Sequence, residues 1–179
     1  MTMDQDPNLR RANVRLALIL AAVAQSGVRV LIATEGLFSM DGDGPDLARL
    51  VEIKERHGCW LMIDDAHGLG VLGARGLGVH EHQGVDPRRV DIWFGTLSKS
   101  LVGCGGYVAG AQALVDLLKY SAPGFVYSVG LPPATLGSAH AALTVLRQDP
   151  DRVAALHELL HLGGELREAG ALQVAAPLE

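Results

Sequence analysis

Short apolar, β-branched runs alternate along the chain with longer stretches whose apolar positions recur at helical spacing, and each pattern predicts its own kind of element. Val28 to Thr34 reads as a strand, and Pro45 to His57 as a helix with Leu47, Leu50, Val51 and Ile53 near helical spacing. Cys59 to Asp64 is the next strand, followed by a glycine-punctuated loop from Gly68 to Gly78. A polar stretch containing Pro87 leads to the strand Val90 to Gly95. Gly103-Cys-Gly-Gly106 then precedes a short strand, Tyr107 to Ala109, and a helix, Gln112 to Tyr120. Beyond a break at Pro123-Gly124, Pro132-Pro133 opens a helix that Asp149-Pro150 ends, and a last helix runs from Arg152 to about Glu168. This order predicts an α/β fold, a mostly parallel sheet with flanking helices.

At the front, Leu16 to Ala24 predicts a helix that packs on the domain. Arg10-Arg11 before it and Ala22-Val23-Ala24 at its end imitate a secretory leader, but Asp4 and Asp6 spoil the basic segment such a leader needs. The stretch is also far too short to span a bilayer. At 179 residues the chain suffices for one domain with a core, and 49% hydrophobic with 20% charged residues is an ordinary globular balance. A formal charge of −5 argues against nucleic acid or an anionic membrane as the main partner. Two cysteines, Cys59 in an apolar run and Cys104 in a glycine cluster, suggest neither a disulfide framework nor a Cys-based zinc site, which fits a reducing cytoplasm.

Two of the apolar runs deliver reactive groups to their C-terminal ends: Trp60-Leu-Met-Ile-Asp64-Asp65-Ala-His67, and Asp91-Ile-Trp-Phe-Gly-Thr96-Leu-Ser-Lys99. In an open α/β sheet, ligands bind in the crevice beyond the carboxyl ends of the parallel strands. A lysine, a carboxylate, a histidine and hydroxyls gathered there suit carbanion chemistry on pyridoxal phosphate, which uses a Schiff-base lysine and an acidic partner for the pyridinium nitrogen. Other motifs fail on physical grounds. Gly68-Leu-Gly70-Val-Leu-Gly73 fits a dinucleotide fingerprint, but Asp65-Ala66-His67 separates it from the strand, and Gly76 and Gly78 follow where a helix should open. The apolar strand ending in acid resembles that of a nucleoside triphosphatase, yet no Gly-Lys dipeptide is present to supply a phosphate loop. His157 and His161 at helical spacing, and His80 and His82 around Glu81, lack a third placed ligand, so no metal is expected and these side chains read as solvent-facing.

Four ordered blocks carry a family resemblance: Glu35-Gly-Leu-Phe-Ser39-Met-Asp41-Gly-Asp43, Leu61-Met-Ile-Asp64-Asp65-Ala-His67-Gly-Leu-Gly70, Gly95-Thr96-Leu-Ser-Lys99 with Gly105-Gly106, and Phe125-Val-Tyr-Ser128-Val-Gly-Leu-Pro132-Pro133. Together they resemble the α-oxoamine synthases, pyridoxal-phosphate-dependent acyltransferases. The resemblance implies a fold-type I transferase large domain over residues 28–148, with a helical segment before it (1–27) and a helix leading toward a small domain after it (149–179). It also implies decarboxylative condensation of an amino acid with an acyl-CoA to an aminoketone.

By the same resemblance, Lys99 carries the cofactor as a Schiff base and moves the proton on Cα. Asp64 keeps the ring nitrogen protonated so that the ring acts as electron sink. His67 hydrogen-bonds the phenolic oxygen and takes part in catalysis, and Ser39 lies on that same edge. Thr96 binds the phosphate, where hydroxyls and free N–H groups suit a dianion. Ser128 reaches the phosphate of a neighbouring subunit, which implies a homodimer or a complementing chain. Asp65 is left without a role, because strand alternation turns it to the other side.

Family members are about twice as long. The expectation is therefore a large-domain fragment, a truncated product or half of a split enzyme, with weak or no activity alone. Two alternatives stand beside this reading: another fold-type I enzyme, an aminotransferase or lyase, and a non-catalytic module for cofactor binding or dimerisation.

Overall fold

The computed structural model describes residues 28–168, with side chains to residue 165. The expected helix at Leu16 to Ala24 lies outside the described residues. Among the described residues, four strands form one sheet in the order β1 (Leu31–Glu35), β2 (Trp60–Asp64), β3 (Ile92–Thr96) and β4 (Gly106–Gly110). β1 and β2 are parallel, as are β2 and β3, and β4 runs antiparallel to β3. A mostly parallel sheet is thus what the residues form, closed at one edge by a reversed strand.

Helix α1 (Leu47–His57) makes the crossover between β1 and β2. The Asp46 side chain accepts the Arg49 N–H at the helix entry, and Gly58 ends the helix in the left-handed conformation at φ 64°. Helical spacing turns Leu47, Leu50, Val51 and Ile53 inward, where they meet Ile32, Leu61 and Ile63 from the sheet. Lys54 on the same helix reaches both carboxylate oxygens of Asp91, at 2.8 and 2.9 Å. Asp91 also accepts the Leu61 N–H, so one carboxylate joins α1, β2 and the entry to β3.

The apolar runs begin earlier than the strands they contain, because paired register starts at Leu31 opposite Trp60. Three short elements occupy stretches read as loop or break: α2 (Val79–His82), a 3-10 turn at Pro87–Arg89, and α4 (Pro123–Val126) just after α3 (Gln112–Ser121). A single turn has no periodicity to read, which is why Pro123-Gly124 looked like a breaker alone. The last two helices, α5 (Pro133–Gln148) and α6 (Asp151–Glu168), follow the sequence reading closely. Ala139 of α5 packs with Leu97 and Leu101, and Val153 of α6 is buried. Among the described residues no helix is long and apolar enough to cross a membrane.

Candidate active site

Side chains alternate across the sheet, and burial shows which face each takes. Leu61 and Ile63 of β2 are fully buried beneath α1, so Trp60, Met62 and Asp64 share the opposite face. Asp64 pairs in register with Glu35 on β1 and Phe94 on β3, and Thr96 stands two residues beyond Phe94 on that same face. Asp64 is half-buried at the carboxyl end of its strand; its Oδ1 accepts the Ala66 N–H at 3.0 Å. Oδ2 has no partner among the described residues. His67, also half-buried, follows three residues later. Glu35, which sequence reasoning passed over, adds a second carboxylate to this edge; its signal was the register, invisible before the strands are paired.

Lys99 sits in a turn that β3 feeds directly. Leu97 and Leu101 are buried on either side of it and anchor the turn, while Lys99 itself is exposed. The turn closes through Val102 N–H to Lys99 O at 2.9 Å, Gly103 N–H to Leu97 O at 2.6 Å and Leu97 N–H to Gly105 O at 2.9 Å. Val102 takes φ 52°, a left-handed conformation that a β-branched residue adopts only when its surroundings impose it. Salt bridges among the described residues engage Lys54 and Lys119, and leave the Lys99 amine without a carboxylate. The Thr96 hydroxyl donates to Gly105 O at 3.1 Å and lies 2.7 Å from the Ser98 hydroxyl, while Ser98 N–H donates back to it at 3.1 Å. Two hydroxyls and a backbone N–H therefore meet one turn before the lysine.

Asp64, His67, Thr96 and Lys99 thus collect at the carboxyl ends of two adjacent parallel strands. Ser39 is exposed in the turn after β1, which Phe38 N–H to Asp43 O closes at 2.8 Å. Ser128 is exposed in the segment between α4 and α5: it donates to Phe125 O at 3.3 Å, and its neighbours Tyr127 and Val129 are 87% and 94% exposed.

The histidines correct one expectation. His80 is not a plain surface group, since it packs edge-on against Trp93 with ring centroids 5.7 Å apart. His157 is exposed, yet its Nε2 donates to Val71 O at 2.7 Å and pins α6 to the glycine-rich loop. His161 pairs with Glu165 on its own helix. Among the described residues, no three His, Cys, Asp or Glu side chains stand close enough together to hold a metal ion.

The aminotransferase class I and II family model matches residues 11–175. The chain belongs to that family. Within it, the likeness is to the α-oxoamine synthases. The chain is 44% identical over 133 residues to the 8-amino-7-oxononanoate synthase of Methylococcus capsulatus, covering 74% of this chain and 34% of that protein. The serine palmitoyltransferase of Sphingomonas wittichii superposes with a TM-score of 0.73 at 31% identity, over 83% of this chain and 38% of that one. A structure described as SPT with its PLP internal aldimine gives a TM-score of 0.66 at 29% identity, over 72% and 32% of the two chains. The chain therefore spans about a third of the length of these relatives.

Proposed function

We propose that this chain is the cofactor-bearing part of a pyridoxal-phosphate-dependent α-oxoamine synthase, an acyltransferase that condenses an amino acid with an acyl-CoA, releases carbon dioxide and yields an aminoketone. The observation that carries the reading is the placement of Asp64 and Lys99 at the carboxyl ends of neighbouring parallel strands, where among the described residues the carboxylate has an oxygen to spare and the amine has no competing partner. When bound, pyridoxal phosphate supplies an electron sink for a carbanion at the amino-acid Cα.

The residues fit that group. Asp64 offers a carboxylate, held in place by Ala66 N–H, to a protonated ring nitrogen. Lys99 holds the cofactor through its amine and carries the proton to and from Cα. His67 offers a ring N–H to the phenolic oxygen, and Ser39 a hydroxyl to the same edge. Thr96 and Ser98 present hydroxyls to the phosphate, exchanging their mutual hydrogen bond for a charged acceptor. Ser128, on its exposed segment, suits the phosphate of a second subunit in a homodimer better than one on its own chain. Cys59 and Cys104 are both free thiols, in keeping with work in the cytoplasm.

Titrating pyridoxal phosphate into the purified chain should produce a visible absorption band that K99A abolishes; no Lys99-dependent band sinks the proposal. Release of CoA from an acyl-CoA in the presence of glycine, alanine or serine then tests the acyl transfer itself. One observation favours a second reading, a cofactor-binding or dimerisation module without turnover of its own. The sheet face that bears Asp64 is open, with Leu31 and Trp60 52% and 46% exposed. A band without CoA release would select this second reading.

A further inference from the structure

Asp65 has no role in the chemistry above, yet it is the one buried charged side chain among the described residues, 5% exposed. It follows β2 directly, and alternation turns it away from Asp64, toward the α1 side of the sheet. Its Oδ2 accepts the Val79 N–H at 3.0 Å, at the first residue of α2. Its Oδ1 has no hydrogen-bond partner among the described residues. Three glycines from three segments close around it: Gly36 after β1, Gly68 after β2 and Gly78 before α2. A Cβ on any of them would collide with a carboxylate oxygen of Asp65, so the backbone there is shaped to this one side chain. Its main chain is held as firmly. Asp65 N–H donates to Phe94 O at 2.9 Å, and Asp65 O accepts from Gly68 N–H and Leu69 N–H at 3.2 and 3.1 Å. Gly36 N–H donates to Asp64 O at 2.7 Å, which brings the end of β1 into the same knot.

We propose that Asp65 is a positioning residue: its buried carboxylate gathers the ends of β1 and β2 and the start of α2, and so fixes the backbone that presents Asp64 on one side and His67 on the other. The roles of Asp64 and His67 rest on the function proposed above; the hold of Asp65 on residues 64–69 does not. The geometry gives a buried carboxylate with an orphaned oxygen a task that an apolar side chain, easier to bury, would not perform. A rigid knot beside a reacting centre reduces the ordering a cofactor must impose when it binds.

The test uses the 179-residue chain with D65A, D65N and, as control, E81A. Glu81 accepts from Arg75 N–H and Leu77 N–H and so holds only the outer part of the glycine-rich loop. Amide hydrogen exchange without cofactor should speed at least tenfold across residues 64–69 in D65A. In E81A it should speed only around residues 73–77. Affinity for pyridoxal phosphate, read from the Lys99-dependent band, should fall tenfold or more in D65A. D65N, whose amide oxygen still accepts the Val79 N–H, should recover it to within about threefold of the parent. Should D65A fail to fold, D65S replaces it in both arms, since its hydroxyl is too short to reach Val79.

Unchanged exchange across 64–69 overturns the proposal, as does an affinity loss no greater than that of E81A or not rescued by D65N. If the parent chain shows no Lys99-dependent band, the proposed function falls. The exchange arm then decides the hold of Asp65 on residues 64–69 alone.

Discussion

Ser100 donates its hydroxyl hydrogen to the carbonyl of Leu69, 31 residues earlier, at 2.7 Å. That bond ties the turn carrying Lys99 to the loop that leaves His67. Gly70 lies so close that a Cβ there would approach Ser100 within 2.6 Å. S100A should cost about 1 kcal/mol of stability, the usual worth of one hydrogen bond, measurable as a lower urea midpoint at constant slope. Cofactor affinity should fall several-fold with it. A variant as stable as the parent with unchanged affinity would show that the two loops hold their places independently.

Burial pushes the Asp65 carboxyl up to about 6, opposed by the Val79 N–H and reinforced by the negative charge of Asp64. The Tyr107 hydroxyl is pushed up as well, first by its own burial and then by the charges of Asp65 and Asp64. His80 lines the same small cavity as Asp65 and Tyr107. An unfolded aspartate releases its proton near 3.8, so the folded state binds the extra proton between that value and about 6. The stability Asp65 contributes is complete below pH 3.8 and is lost as pH rises through 6, by about 3 kcal/mol at most. Urea unfolding of parent and D65N at pH 4, 5, 6 and 7 should show the parent losing ground to the variant over this window. A difference independent of pH would contradict the raised carboxyl.

Lys54 is largely buried, with 12% of its side chain exposed, against 33% for Asp91. K54A leaves Asp91 still bonded to Leu61 N–H but without its counter-charge. The expected loss is about 2 kcal/mol, less than for a pair wholly out of water. Cofactor affinity should stay within twofold, since Asp91 enters β3 and Lys99 lies beyond its other end.

D64N should leave the urea midpoint nearly unchanged, because the amide oxygen can still accept the Ala66 N–H. The Lys99-dependent band should survive in this variant while CoA release falls at least a hundredfold, about 3 kcal/mol of transition-state stabilisation. Equal release by parent and D64N would remove Asp64 from the chemistry.

How far the chain could be read depended on whether the signal was periodic. Helix α1 was legible because its apolar stripe, the Asp46 entry and the Gly58 exit agree with one another. The parallel strands were legible as apolar runs, and the placement of Asp64 and Lys99 at their carboxyl ends followed from the order of residues. Register was not. It begins β1 at Leu31 and places Glu35 beside Asp64, and no local pattern states which residues pair. The four-residue helices were hidden because one turn has no repeat. Asp65 was legible only as facing away from Asp64; that three separated glycines converge on it is a tertiary fact. The same holds for His157, whose partner Val71 lies 86 residues away.

The bridge from Lys54 through Asp91 to Leu61 sits at the amino ends of the strands, opposite the end that bears Asp64 and Lys99. Substitutions at the two ends should therefore combine additively, because they share no contacts. A lineage that strengthened the ionic end would gain a reserve with which to tolerate destabilising changes at the end that bears Asp64 and Lys99. Chains of this kind can then diverge at that end while keeping the same frame.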